Sequence, residues 1–215
     1  EVLLLLNGRS ALNVPGFLVP AALHNGGNFV ISLSNLCRWL GEQAENLGVQ
    51  IFTGFTAADI LYDDTGAVIG ITTGDMGRDQ AGNEKSNYEA GYELHAKYTV
   101  FAEGCRGHLG KQLIEKFALD KGKSPQHYGL GIKELWEIPS TQHQPGKIIH
   151  AIGWPLGLGK TTGGSFLYHL DNNQVAVGLI TDLNYSNPWL SPFEEFQRLK
   201  LHPRFKTILQ GGKRI

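Results

Sequence analysis

Cysteine is scarce: Cys37 and Cys105 are the only two, so the chain has no disulfide framework, no Cys-x-x-Cys pair and no cysteine cage for a metal. A reducing compartment is the default. Long hydrophobic runs are missing too. The longest is Val2 to Leu6, far short of the ~20 apolar residues that span a bilayer, and no signal peptide is legible. Charge of one sign is also absent: 19 Lys plus Arg stand against 20 Asp plus Glu, for a net charge of −1. No basic patch favours nucleic acid as a partner. The eight histidines form no His-Glu-x-x-His or other close pair, which removes the common histidine metal motifs.

Glycine, by contrast, is abundant. The 28 glycines among 215 residues are roughly twice the usual ~7% share and follow no period, which excludes collagen and implies many tight turns and close backbone approaches. Asn28–Ser32 reads as a short apolar strand. Ser32 or Ser34 then caps a helix carrying Leu36, Leu40, Ala44 and Leu47 at helical spacing, with Gly48 at its end. Val49–Thr53 reads as a strand, and Ala57–Tyr62 and Ala67–Thr73 as a hairpin across Asp63-Asp-Thr-Gly66. A polar surface hairpin or loop fills Gly74–Ala90. Glu93–Ala102 is expected to be the strongest strand, followed by a glycine turn and a helix with Leu109, Leu113, Ile114 and Phe117 on one face. Beyond Pro125 the runs Tyr128–Ile138, Lys147–Trp154, Gly164–Leu170 and Gln174–Thr181 predict an antiparallel sheet. A last helix is expected from Ser191 to a stop before Pro203.

Three motifs invite chemistry. Gly153 to Thr161 ends in Gly159-Lys160-Thr161 like a phosphate-binding loop, but the required first glycine is Trp154 and strand material follows. Gly163-Gly164 before an aromatic strand is either bare backbone for a ligand or a simple hairpin turn. Phe101-Ala-Glu-Gly-Cys-Arg-Gly107 places backbone amides and a short acid at a helix start, where anions and sugar hydroxyls are attracted. It is otherwise a structural turn. Cys105 as a nucleophile on an elbow is the rival reading, one residue short of Gly-x-Ser-x-Gly. His169, just beyond the paired glycines, could donate to a carbonyl oxygen or be a satisfied strand histidine.

Nine segments in order carry a resemblance: Gly27-Asn-Phe-Val-Ile, Trp39–Glu45, Glu93–Lys97, Phe101–Cys105, Gly131–Trp136, Gly153-Trp-Pro155, Gly163–His169, Leu190–Phe193 and Gly211–Ile215. Together they resemble the electron transfer flavoprotein–ubiquinone oxidoreductases, a family similar in fold to glutathione-reductase-like flavoproteins. The resemblance implies an α/β (α+β) chain: part of an FAD-binding domain plus an antiparallel-sheet quinone-binding domain. Residues 1–27 would be a quinone-domain or membrane-proximal segment, 28–122 the second portion of the FAD-binding domain, and 123–215 the quinone-binding sheet. It implies FAD contacts at Ala57, Ala102, Glu103, Gly104 and Gly107, and ubiquinone contacts at Gly163 and Gly164. Neither the family's Gly-x-Gly-x-x-Gly nor its four cluster cysteines occur in the sequence, so the chain reads as the middle of a longer enzyme, with the [4Fe–4S] ligands outside it.

The implied activity is an electron-transferring-flavoprotein dehydrogenase, passing electrons to ubiquinone through FAD and the cluster. The implied partners are electron transfer flavoprotein, ubiquinone and one membrane leaflet. The implied location is the mitochondrial inner membrane on its matrix side, or the bacterial inner membrane on its cytoplasmic side. Leu3–Leu6 and Phe17-Leu18-Val19 are either remnants of the membrane-facing surface or core. The alternatives are an FAD-dependent reductase or hydroxylase of an apolar substrate, and a non-catalytic β-rich ligand-binding module.

Overall fold

The computed structural model describes residues 1–159 and 161–215; Lys160, the lysine of the Gly-Lys-Thr sequence, lies outside the described residues. In chain order the elements are strands β1 (Val2–Leu6) and β2 (Ala11–Asn13), helix α1 (Leu33–Asn46), strands β3 (Ala57–Tyr62), β4 (Val68–Thr73), β5 (Met76–Arg78), β6 (Glu84–Glu89) and β7 (Glu93–His95), and helix α2 (His108–Phe117). There follow strands β8 (Gly129–Glu137), β9 (Ile148–Gly153), β10 (Gly163–His169) and β11 (Gln174–Asp182), helices α3 (Pro192–Leu201) and α4 (Pro203–Leu209), and strand β12 (Lys213–Arg214). They form two compact units, Glu1–Leu40 with Gln126–Ile215, and Gly41–Pro125.

The first unit is built on a seven-stranded sheet in the order β12-β8-β11-β10-β9-β1-β2. All pairs are antiparallel except β1 beside β9. The four runs expected after Pro125 are all strands, each setting every second residue on one face of the sheet. That face carries Leu4, Leu6, Ile149, Leu167, Val175 and Val177, all buried. It packs on Phe196 and Leu199 of α3 and Phe205 and Leu209 of α4; each such side chain removed from water contributes about 1.5–3 kcal/mol.

Ser191 caps α3 by accepting from the Glu194 amide at 3.3 Å, with proline in the first turn. Pro203 does stop α3, but it also opens α4, where the fixed φ of proline suits a first turn. The run Leu3–Leu6 is strand: Leu4 and Leu6 lie in the core, while Leu3 and Leu5 point to the opposite face. Phe17 and Leu18 sit in a short 3-10 turn and are exposed.

The second unit holds the three-stranded sheet β3-β4-β7 and the hairpin β5-β6. The expected turn between β3 and β4 is held by Asp63, whose Oδ1 accepts from the Thr65 and Ala67 amides, each at 2.9 Å. On α2, Leu109 is buried and Phe117 lies against Tyr62, with ring centroids 6.3 Å apart.

Three expected strands are not formed: Asn28–Ser32, Val49–Thr53 and the closing stretch Tyr98–Ala102. Strand propensity alone cannot supply the partner hydrogen bonds that make a strand, and among the described residues none of these stretches pairs in a sheet. Of Glu93–Ala102 only β7 pairs, with β4; Tyr98 and Val100 are exposed.

Candidate functional site

The sheet of the first unit has one face packed against α3 and α4 and an opposite face that those two helices leave uncovered. On the second face the register aligns Gly164, Phe166 and Tyr168 of β10 with Ile180, Gly178 and Ala176 of β11, and Phe166 with His150 of β9. A cavity of about 760 Å³ opens between this face and the segment Val30–Asn35, its wall including Ser32, Lys133, Leu135, Phe166, Tyr168 and Gln174. Ser32 also accepts from the Asn35 amide at 3.4 Å, capping the start of α1. The wall sets the aromatic rings of Phe166 and Tyr168 among Ser32, Lys133 and Gln174, an arrangement that suits a flat ring with polar edges.

Phe166 and Tyr168 stack with centroids 4.7 Å apart. The Phe166 ring lies across Gly178, where a β-carbon would come within 2.5 Å of Phe166 Cζ. Behind Tyr168 runs a chain of hydrogen bonds. Tyr168 Oη is 2.9 Å from His150 Nε2, and His150 Nδ1 is 3.1 Å from Glu1 Oε1. Asn25 donates to Glu1 through its amide N–H at 3.1 Å and its side chain at 3.2 Å. Burial opposes ionisation of Glu1, but the Asn25 bonds and His150 outweigh it and hold the carboxyl below its usual range. Burial, with the nearby Glu1 charge, pushes the Tyr168 phenol above 10 and keeps it protonated.

Gly163 and Gly164 are strand residues, neither with positive φ, so the hairpin-turn reading does not hold. Neighbouring strand residues face opposite ways, and only Gly164 lies on the open face. A β-carbon on Gly163 would run into the Ile180 carbonyl oxygen and come within 2.6 Å of Leu156 Cδ1. The same alternation turns Leu167 and His169 into the core. His169 is a satisfied core histidine: Nδ1 accepts from the Gln144 amide at 3.1 Å, and burial followed by the neighbouring His143 and Lys147 charges pulls its pKa down to about 4. Sequence reasoning missed Glu1, His150 and Gly178; Ser32 was expected only as a helix cap, and Lys133 was present only inside a quoted segment.

In the second unit Ala57 opens β3. The Ala102–Gly107 turn is organised by Glu103, whose Oε2 accepts from the Gly110 amide at 2.8 Å and Oε1 from Leu109 at 3.2 Å. These backbone bonds, Gly110 first, hold the Glu103 carboxyl below its usual range. Gly104 has a φ of +81°, and a β-carbon on Gly107 would press within 2.6 Å of Glu103 Oε2. The first-turn amides of α2 are thus already bonded to an anion belonging to the chain. Cys37 and Cys105 are both exposed, and among the described residues no three His, Cys, Asp or Glu side chains group as a metal site. Two cysteines cannot ligate a four-iron cluster.

The same architecture occurs in a flavin-dependent brominase, with a TM-score of 0.57, 11% identity and coverage of 100% of this chain and 48% of that one. A flavoprotein/dehydrogenase from Cytophaga hutchinsonii superposes with a TM-score of 0.57, 15% identity and coverage of 100% and 47%. The chain thus shares its fold with a flavin-dependent brominase and a flavoprotein.

Residues 128–215 match the family described as ETF-QO, ubiquinone-binding. The electron transfer flavoprotein-ubiquinone oxidoreductase of Pseudomonas aeruginosa is 59% identical over 216 residues, covering 100% of this chain and 39% of that protein. The mitochondrial enzyme of Homo sapiens is 52% identical over 195 residues, covering 90% and 31%. The chain belongs to the electron transfer flavoprotein–ubiquinone oxidoreductase family, and it spans between about a third and two fifths of the length of these two relatives.

Proposed function

We propose that this chain supplies the quinone-reducing face of a flavoprotein oxidoreductase that passes electrons from reduced electron transfer flavoprotein to ubiquinone through FAD and a [4Fe–4S] cluster. The observation that carries the reading is the open sheet face: bare at Gly164, aromatic at Phe166 and Tyr168, and flanked by a cavity large enough for a flat redox ring. Ubiquinone lies on this face. Gly164 clears room for its ring, and Gly163 lets β10 close against β11 and Leu156. Residues 123–215 act as the quinone domain, 1–27 as its membrane-proximal segment and 28–122 as part of the FAD-binding domain.

When bound, FAD supplies two-electron to one-electron redox exchange. Ala57 and the turn Ala102, Glu103, Gly104 and Gly107 line it, with Glu103 presenting carboxylate oxygens to hydroxyls of the sugar chain. Because Glu103 occupies the α2 amides, the pyrophosphate is bound elsewhere. The cluster is ligated by residues outside this chain. Phe17, Leu18 and Phe29, exposed and apolar, rest on one membrane leaflet; among the described residues no helix is long and apolar enough to cross a membrane. The leaflet is that of the mitochondrial inner membrane facing the matrix, or of the bacterial inner membrane facing the cytoplasm, in keeping with relatives of both origins.

The test is Gly164→Ala in a full-length enzyme carrying this segment, with the two half-reactions measured separately. Ubiquinone reduction should fall about tenfold while flavin reduction by electron transfer flavoprotein changes less than about twofold. Equal loss in both halves contradicts the assignment.

A further inference from the structure

Two cavities on the open face are joined by one hydrogen-bonded chain. Tyr168 lines the large cavity beside Val30–Asn35. Glu1 and His150 line a separate, smaller one of about 110 Å³ together with His24. The link between them is the pair of contacts at 3.1 Å and 2.9 Å through the His150 ring. Glu1 and His150 have side-chain exposures of only 20% and 23%, so the bonds are partly shielded from competing water.

The directions of these bonds follow from the donor inventory. An ionised carboxylate only accepts, so His150 donates Nδ1–H to Glu1. A neutral His150 then presents a bare Nε2, and the Tyr168 hydroxyl donates to it. When His150 takes up a second proton, Nε2–H donates to the Tyr168 oxygen, and the phenolic O–H is released to point into the large cavity. The arrangement is a carboxylate holding one imidazole tautomer so that the far nitrogen can charge a hydroxyl. Lys133, on the wall of the same cavity, places positive charge where a reduced ring gathers electrons.

We propose that Tyr168, charged by His150 and held by Glu1, is the proton donor to a flat carbonyl-bearing redox ring in the large cavity. This rests on the functional reading above. The ring takes two electrons, originating in reduced electron transfer flavoprotein, and two protons. The Tyr168 O–H bond breaks as the ring O–H or N–H bond forms; the His150 Nε2 proton moves to the phenolate oxygen, and a proton from water in the large cavity, passed through the Tyr168 hydroxyl, restores Nε2–H after the reduced ring has left. The second proton reaches the ring from water. Tyr168 is the catalytic residue, and His150 and Glu1 are positioning residues. Quinone and isoalloxazine share this chemistry. Gly164 and Tyr168 are four residues apart on β10, about 13 Å, so a ring over Gly164 and a ring at Tyr168 are distinguishable occupants.

The charged and titratable groups around the relay are Glu1 before β1, His24 in the turn after Leu23, Tyr168 on β10, and Lys133 and Asp171 on the cavity wall. The experiment uses a full-length enzyme carrying this segment, with Tyr168→Phe, His150→Gln and Glu1→Gln. Each variant is read by thermal melt, by ubiquinone Kd, by both half-reactions in H₂O and D₂O, and by the pH dependence of the flavin potential.

If the ring is quinone, Tyr168→Phe should slow ubiquinone reduction about 100-fold or more, with melt and Kd unchanged and the solvent isotope effect altered. If it is the flavin, the pH dependence of the flavin potential should shift in the same variant, a result readable even if ubiquinone is not the substrate. In both cases His150→Gln and Glu1→Gln should give smaller effects of the same kind. Tyr168→Phe with both half-reactions within about twofold, and with unchanged isotope effect and pH dependence, overturns the relay. So does a uniform loss that follows a lowered melting temperature.

Discussion

Adding one methyl group at Gly163 and at Gly164 should separate folding from function, because the two sites differ in the space behind them. At Gly163 the new carbon meets the Ile180 carbonyl oxygen, Leu156 Cδ1 at 2.6 Å and Thr181 Cα at 3.0 Å. Two of these are backbone atoms of β11, which is paired along its length with β8 and cannot yield alone. Overpacking of this kind costs about 1–3 kcal/mol. For a chain of this size that lowers Tm by roughly 2–12 °C at about 2–4 °C per kcal/mol. At Gly164 the nearest atoms are the Ala151 carbonyl oxygen at 3.0 Å and Ile152 Cγ2 at 3.6 Å. A shift of a few tenths of an ångström relieves both. Restricting the unfolded chain returns about 0.4–1 kcal/mol, so the net change should lie within about 2 °C. Thermal melts and urea titrations of Gly163→Ala and Gly164→Ala read this directly. A Gly163→Ala protein as stable as wild type, or a Gly164→Ala protein less stable than Gly163→Ala, refutes the packing argument.

Other expectations follow from particular contacts. Glu134 takes hydrogen bonds from Lys200 at 2.7 Å and the Trp136 indole at 2.8 Å; burial opposes its ionisation, but these partners hold its carboxyl below 4.5. Glu134→Gln should cost about 2 kcal/mol at pH 7. That contribution is fully present above about 4.5 and is lost as pH falls through the lower folded value, so wild-type and variant melts should converge in acid. His169, depressed to about 4, has the opposite charge logic. Stability falls as pH drops from about 6.5 toward 4 because only the unfolded state binds the proton readily, and His169→Gln should flatten that slope in pH-dependent melts. Glu103→Ala should fray the start of α2, seen as faster amide exchange at Leu109 and Gly110 with unchanged exchange in β3 and β4. Gly178→Ala should push Phe166 off β11 and change the near-ultraviolet signal of the stacked rings.

What the sequence made legible is what depends on local pattern. The strands β8 to β11, the β3–β4 hairpin and the Ser191 cap all follow from alternation and turn chemistry, and the structure has each of them. Where the pattern needed a distant partner it was blind. Tyr98–Ala102 has strand composition and stays unpaired. Val2–Leu6 reads equally as surface or core until β9 lies beside it and sends Leu4 and Leu6 one way and Leu3 and Leu5 the other. At the candidate site Gly164, Phe166 and Tyr168 were visible because they share one strand. Strict period-two reading would also have set Leu167, His169 and Gly163 aside at once. Glu1 and His150 were not visible, since a hydrogen bond across 149 positions leaves no local signal.

The central claim is that ubiquinone reacts on the open face of the β8–β11 sheet. A photoreactive short-chain ubiquinone, cross-linked to a full-length enzyme carrying this segment and mapped by peptide mass spectrometry, tests it directly. The label should fall on β10 and β11, in Gly163–Tyr168 and Ala176–Ile180, and should disappear with excess ubiquinone. Competed labelling confined to Gly41–Pro125, or to the exposed Phe17-Leu18 turn, would contradict it.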